Sequence, residues 1–382
     1  MRPIVKLAMP IVLSCAVFAA TQVQAMQVVV GQVAPLSGPE ASQGRAYAAG
    51  MRLFFSGVNK SGGASGHTFA LVSKDDGGRP EDTVSLTRQL LAENQPMVLA
   101  GYFGNRNISA LVSAGLLEKE KLALIGYRAA DIRTDTPLLY NVRASLRDEL
   151  GKITDHLATL GVTRLGLLYE EGPGAAALIA ATEEVARKGN AAIVSKASYE
   201  TGTTRVADAI DAFIKAKPQA IILVCSGAAG ARFIERYRAD GGAAQIFVHS
   251  GADMERLAKQ IAEDRLAFVS TVMQGVAIAQ VVPNPFHVSG LAKEFREAAA
   301  KGGKLDVPVG YVMMEGYIAA KVIVEAVRRQ GQRPAREGMA AALEGMDNLN
   351  LGGYVVGFKS GMRSGSKSVE LTIISGTGQI RQ

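Results

Sequence analysis

"QVVVGQVAPLSGPEASQGRAYAAGMRLFF", residues 27–55, holds an apolar run, a glycine-bearing turn and a stretch of helical period in direct succession. The run reads as a buried strand. Beyond the turn "APLSGPEASQGR" (34–45), Tyr47, Met51, Phe54 and Val58 fall on one face of a helix, as a core-packed helix requires. A glycine-bearing turn from strand to helix aims free backbone N–H groups at whatever lies above it: a nucleotide phosphate, a small solute, or nothing.

The same alternation runs through nearly the whole chain. Short apolar segments recur at "FALVSK", "MVLAGY", "LALIGY", "RLGLLY", "AAIVSK", "AIILVC", "IFVHS" and "LAFVSTVM", with amphipathic stretches between them. Continuous apolar strands separated by helices predict parallel sheets covered on both faces. The pattern breaks at "LYNVRASLRDEL" (139–150), at the proline-punctuated "STVMQGVAIAQVVPNPF" (270–286) and at "MDNLNLGGYVVGF" (346–358). Three breaks suit an α/β architecture of two doubly wound parallel-sheet lobes joined by three crossover segments, near 139–150, 270–280 and 346–353. Residues 26–145 and 276–347 are then expected in lobe 1, and 146–275 and 348–382 in lobe 2. The late helix with Tyr311, Met314, Ile318 and Val322 on one face belongs to lobe 1 on this reading.

Composition narrows the function. Arg2 and Lys6, an apolar stretch from Leu7 to Ala20, and "VQA" ending at Ala25 form the pattern of a secretory signal peptide over residues 1–25. "VLSC", ending at Cys15, is the lipoprotein alternative, but Leu13 is bulky for that site. Export to the periplasm without a lipid anchor is the expectation. The net charge of +7 falls to +5 without Arg2 and Lys6, and the charges are interspersed with no basic block and no tryptophan, which argues against a nucleic-acid partner. Cys225 is the only cysteine beyond the leader, so stability must come from a large core rather than a disulfide.

Motifs of catalysis are absent. There is no GxxxxGK[ST], HExxH, CxxC or GxSxG. The four histidines (His67, His156, His249 and His287) lack metal-ligand spacing, so no metal and no cofactor is expected. They read as surface or loop residues, except His249, which stands where a strand should end. "GPGAAA" (172–177), between a strand and a helix with Glu200 downstream, fits the loose dinucleotide pattern GxGxxA. An ordinary tight turn gives the same letters. An NAD-dependent oxidoreductase therefore stays as the alternative from another function class.

The order of the pieces resembles a family. "GQVAPLSGPEASQGRAYAAGMRLFFSGVNKSGG", "KDDGGRPEDTVSLTRQLL", "AGYFGNRNISALV", "LIGYRAAD", "YNVRAS", "QVVPNPF", "EGYIAAKVIVEAVRR" and "LNLGGYVVGF" are similar to the type I periplasmic solute-binding proteins of ABC transporters, in particular the leucine/isoleucine/valine-binding branch. The resemblance implies a non-enzymatic, monomeric binder that closes two lobes on a small solute and delivers it to membrane permease subunits. A ligand-sensing receptor with the same lobes remains open.

The resemblance also places a site. Ser37, Gly38 and Gln43 would border the cleft, with the helix N-terminus suited to a carboxylate. Asn105 stands where relatives carry a serine donor, with Arg106 beside it, and Arg128, Ala129 and Ala130 form the turn where relatives place a carbonyl and a threonine. In lobe 2, Ser226, His249 and Ser250 lie on the corresponding turns, and Tyr311 opens the late helix. The carboxylate that grips an ammonium group in relatives is replaced by Ser250 and Gly251, with Asp253 two residues beyond. Small residues at Pro173, Gly227 and Gly251 predict room for bulk. The implied ligand is a carboxylate-bearing solute larger than leucine, its acid toward lobe 1 with Arg128 as counter-charge.

Overall fold

A computed structural model describes residues 25–130, 132, 136–288, 290–359 and 361–381. The expected leader through Gln24, including Cys15, lies outside them.

Lobe 1 begins as the sequence pattern requires. Strand β1 (Gln27–Ala34) leads into α1 (Ala41–Lys60), followed by β2 (Thr68–Asp75), α2 (Pro80–Asn94), β3 (Val98–Phe103), α3 (Asn105–Ser113), α4 (Leu116–Lys119), β4 (Leu124–Arg128) and β5 (Leu139–Tyr140). Pro80 at the first helical position and Glu81 and Asp82 in the first turn start α2 favourably against the helix dipole. The five strands form one parallel sheet in the order β2-β1-β3-β4-β5.

Lobe 2 continues with α5 (Leu146–Thr159), β6 (Arg164–Glu170), α6 (Ala175–Lys188), β7 (Ala192–Tyr199), α7 (Ala207–Ala216), β8 (Ala220–Val224), α8 (Gly227–Ala239), β9 (Gln245–Val248), α9 (Met254–Phe268) and β10 (Ala277–Gln280). A capping box of Ser145 and Asp148 fixes the start of α5. The chain then returns to lobe 1 for α10 (Gly290–Lys301), α11 (Tyr311–Gln330), α12 (Met339–Glu344) and a hairpin of β11 (Leu349–Asn350) and β12 (Val355–Val356). It ends in lobe 2 with β13 (Glu370–Ile374) and β14 (Ile380–Arg381). The second sheet runs β14-β13-β10-β9-β8-β6-β7, parallel except for antiparallel β13 and β14 at one edge.

Each sheet is covered on both faces. In lobe 1 one core joins the sheet to α1, α10 and α11, and the other joins it to α2, α3 and α4. Lobe 2 has a core under α5 and α6 and another under α7, α8 and α9. Tyr47 and Met51 of α1 meet Met314 and Ile318 of α11 in the first of these cores. The two helices touch backbone to backbone, because a Cβ on Gly50 would strike the Met313 carbonyl and one on Gly316 the Tyr47 carbonyl.

Four expectations need correction. "LAFVSTVM" is not a strand: α9 runs to Phe268, interrupted at Arg265 (φ −142°, ψ 58°), and a π-helical turn follows at Val269–Met273. A short apolar run has no period of its own to separate helix from strand. The strand lies further on, where β10 pairs with β9 through Ala277↔Phe247. That pairing puts residues 277–280 in lobe 2, so the second crossing follows Gln280. The third crossing also shifts, because Leu351, Tyr354, Val356 and Phe358 are buried in the lobe 1 core and only β13 rejoins lobe 2. Lastly, His67 is fully buried, its ring nitrogens bonded to the Met26 N–H at 3.4 Å and the Gly331 carbonyl at 3.3 Å.

The crossings are stitched to one another. Asn141 N–H donates to the Arg363 carbonyl (2.8 Å), and Ser364 Oγ donates to the Arg143 carbonyl (2.8 Å). The buried Tyr354 hydroxyl lies 2.9 Å from the Val142 carbonyl and 3.0 Å from the Val281 carbonyl, so its one proton is shared between the first and second crossings.

Candidate functional site

The opening turn holds an anion, and the anion belongs to the protein. Asp75 Oδ1, at the end of β2, accepts the N–H groups of Leu36 (2.8 Å), Ser37 (3.2 Å) and Gly77 (2.9 Å). Burial pushes this carboxyl up, but bonds from the Ser37 hydroxyl and those backbone N–H groups outweigh it and hold the pKa at about 2. Its neighbour Asp76 points inward, accepting from Thr83 Oγ1 (2.6 Å) and Asn107 Nδ2 (3.4 Å). The "DD" of the sequence is thus one clasp for the turn and one buried tie to α2 and α3. Ser37 is exposed, and its N–H is engaged rather than open to a ligand.

The lobes meet at the carboxyl ends of their strands, where open α/β sheets bind ligands. Arg128, the last residue of β4, is buried there and reaches across. Its Nη2 donates to the Ser250 carbonyl after β9 (3.0 Å), its Nε to Gln43 Oε1 (3.2 Å), and its Nη1 pairs with Glu315 of α11. Arg143, on the first crossing, bonds Glu149 Oε1 at 2.7 Å, lies 3.6 Å from Glu315 Oε2, and donates to the Ser250 hydroxyl. Glu149 in turn accepts from the Ser250 N–H (2.7 Å) and Oγ (3.0 Å). The result is a buried quartet of two guanidinium and two carboxylate groups centred on Ser250. Burial alone would lower the Arg143 pKa, but Glu315 and Glu149 outweigh it and raise it.

Between the lobes lies a cavity of about 10 Å³, lined among others by Arg128, Ser250, Asp253, Glu255, Tyr311 and Glu315. The expected room for bulk is absent because the protein fills it. A Cβ on Gly227 would strike the Ala252 carbonyl, and one on Gly251 would come within 2.6 Å of the His249 ring. His249 is buried, and Gly251 N–H donates to its Nδ1 (3.1 Å). Nε2 therefore carries the proton and donates to the Cys225 carbonyl (3.0 Å). Burial lowers the His249 pKa, which keeps the ring neutral.

The other expected residues divide. Gln43, Arg128, Ser250 and Tyr311 converge on this cluster or its cavity. Asn105 instead clasps Ala130, accepting its N–H at 2.6 Å and donating to its carbonyl at 3.2 Å. Ala129 packs on the second lobe 1 core, and Arg106 is exposed, in electrostatic range of Glu170. Ser226 caps α8 through the Ala229 N–H (3.3 Å) and donates its own N–H to the Tyr199 hydroxyl (3.0 Å). "GPGAAA" is an exposed loop into α6, and Glu200 pairs with Arg205. Sequence reasoning missed Glu315, although it is the one charged residue in "YVMMEGYIAA" (311–320), a signal that was legible. Arg143 and Glu149 lay hidden among several charges in "NVRASLRDEL".

Two doubly wound lobes closing strand ends on a polar cleft define a bilobal binding protein. The family model of periplasmic binding proteins matches residues 27–369, and the chain belongs to that family. Among solved structures, the substrate-binding periplasmic protein from Ralstonia solanacearum is 36% identical, with 93% of this chain and 99% of that one covered and a TM-score of 0.83. A solute-binding protein of an ABC transporter from R. palustris, in complex with 4-hydroxybenzoate, is 16% identical (93% and 95% covered, TM-score 0.78). A branched-chain amino acid ABC transporter protein from Thermus thermophilus with bound valine is also 16% identical (94% and 95%, TM-score 0.77). The last two share the fold. A search of curated proteins returns no match. Among the described residues no helix is long and apolar enough to cross a membrane, and no group of histidine, cysteine and acidic side chains could hold a metal ion.

Proposed function

We propose that this protein is the solute-binding component of an ABC importer. In this reading it works in the periplasm as a monomer, performs no chemistry, and passes a small polar or carboxylate-bearing solute, an amino acid or organic acid, to membrane permease subunits. The lobes open about the three crossings to admit the solute and close on it, and the solute's greater affinity for the closed form drives the closure. One observation carries the proposal: Arg128 of lobe 1 already reaches Ser250 of lobe 2 across the cleft, so a group held by one lobe can complete its contacts with the other. Proteins of the same fold hold valine and 4-hydroxybenzoate, which is why amino acids and organic acids head the probe set below.

Thermal-shift screening of protein stripped by unfolding and refolding tests this, with amino acids, organic acids, amides and NAD as probes. At a hundredfold excess over Kd, a true ligand adds about 2.7 kcal/mol, which for a chain this long raises Tm by roughly 3–4 °C. Stabilisation by NAD alone would contradict the proposal.

A further inference from the structure

Two buried oxygens find no partner among the described residues, and both belong to residues that line the same small cavity. Glu315 is 1% exposed; its Oε2 is taken by Arg128 and Arg143, while Oε1 has no hydrogen-bond donor among the described residues. Tyr311, one turn earlier on the same face of α11, is 8% exposed, and its hydroxyl is also unpartnered. Both residues line the interlobe cavity. Leaving a carboxylate oxygen buried without a donor is costly, because its hydration is lost and nothing replaces it.

The rest of the lining mixes apolar side chains, among them Met254, Ile278 and Val281, with further carboxylates. Asp253 and Glu255 of lobe 2 join Glu315 on the cavity wall, against a single guanidinium, that of Arg128. Asp253 is tied on its outer side to Arg256 (2.8 Å) and Glu255 to Lys259 (2.6 Å). Arg128 directs three of its five N–H groups to Gln43, Glu315 and the Ser250 carbonyl. The space therefore offers acceptors and asks for donors, the reverse of the carboxylate socket that the sequence implied. Its volume of about 10 Å³ is comparable to one water-sized group, and an ammonium or a terminal amide nitrogen is such a group.

We propose that Glu315 and Tyr311 form a socket for a donor nitrogen, so that the ligand buries an ammonium or amide end against α11 and directs any carboxylate away from it. This rests on the solute-binding reading above and refines it. Glu315 Oε1 would accept one N–H, and the Tyr311 hydroxyl a second. Asp253 and Glu255 would add long-range attraction from the other lobe when it closes.

The test uses pairs of probes that share a carbon skeleton: leucine with 4-methylpentanoate, 5-aminopentanoate with pentanoate, and pentanamide with pentanoate. Calorimetry on the full mature protein, Glu315→Gln and Tyr311→Phe reads their affinities, with circular dichroism confirming that each variant is folded. The nitrogen-bearing member of at least one pair should bind about tenfold or more tightly than its acid, the size of one charge-assisted bond. Glu315→Gln should abolish most of that preference, and Tyr311→Phe should reduce it a few-fold. If the simple acids bind as tightly as their partners, or if both variants keep the full preference, the socket is overturned while the solute-binding reading stands. If no probe of either kind binds, both fall.

Discussion

Replacing Arg128 by methionine removes one partner of a buried pair and exposes how the cleft is held together. Arg128 and Glu315 have side chains 5% and 1% exposed, so the loss is felt nearly unscreened. Breaking a buried pair from one side costs about 3–5 kcal/mol. Here the lower end applies, because Glu315 keeps Arg143 at 3.6 Å. Glu315→Gln should cost less, about 1–3 kcal/mol, since Arg128 retains the Gln43 side chain and the Ser250 carbonyl as acceptors. The double variant removes both charges and should lose clearly less than the two single losses combined, leaving a coupling of about 2 kcal/mol. Equilibrium urea unfolding of the four proteins at pH 7 measures this, with linear extrapolation at matched m-values. Repeating it in 0.5 M salt should change little, because a buried pair escapes screening. Additive losses to within about 0.5 kcal/mol would refute a direct Arg128–Glu315 interaction.

His249 resists protonation in the folded state more than in the unfolded chain, so stability should fall as the pH drops below about 6.5. His249→Gln should remove that slope in unfolding curves taken between pH 7 and 5, and an unchanged slope would assign it to other groups. Asp75, held at about 2, contributes stability that is complete above its unfolded pKa near 3.8 and is lost as the pH falls toward 2. Carbon-detected NMR titration should give that midpoint, and Asp75→Asn should loosen the 36–38 turn, seen as faster amide exchange at Leu36 and Ser37. Tyr354→Phe removes the proton shared by the first and second crossings. It should cost about 1–2 kcal/mol and broaden the distance distribution between spin labels at Glu81 and Asp208, on the two cleft rims; a lost hydroxyl with an unchanged distribution would show that Tyr354 serves stability alone.

The lobes were legible because their strands are continuous apolar runs and their helices carry a clear period. Eight of the nine strand segments read from the sequence are strands in the fold. The failure at "LAFVSTVM" and the displaced second and third crossings share a cause. Short strands such as β10 and the β11–β12 hairpin owe their conformation to partners far away in sequence, and no local pattern announces those partners. For the candidate site, the sequence showed some of the positions that come together but not what they bond. The turn after β1, the end of β4 and the end of β9 do converge or lie nearby, yet what their donors hold was invisible. The Leu36 and Ser37 N–H groups take Asp75, and Arg128 takes Glu315, 187 residues away. Glycines at 227 and 251 looked like space for a ligand and are close contacts instead. A residue type at a strand end says which bonds it can make; the fold decides with whom.

Small-angle scattering on the stripped protein, with and without a saturating ligand from the screen, tests the central claim that the two lobes close on a solute. In the proposed mechanism the three crossings let one lobe rotate against the other, and the contact of Arg128 with Ser250 is made when they are together. The radius of gyration should fall on adding ligand, and Arg128→Met should weaken that response. Superimposable profiles at a ligand concentration that calorimetry shows to be saturating would contradict the account.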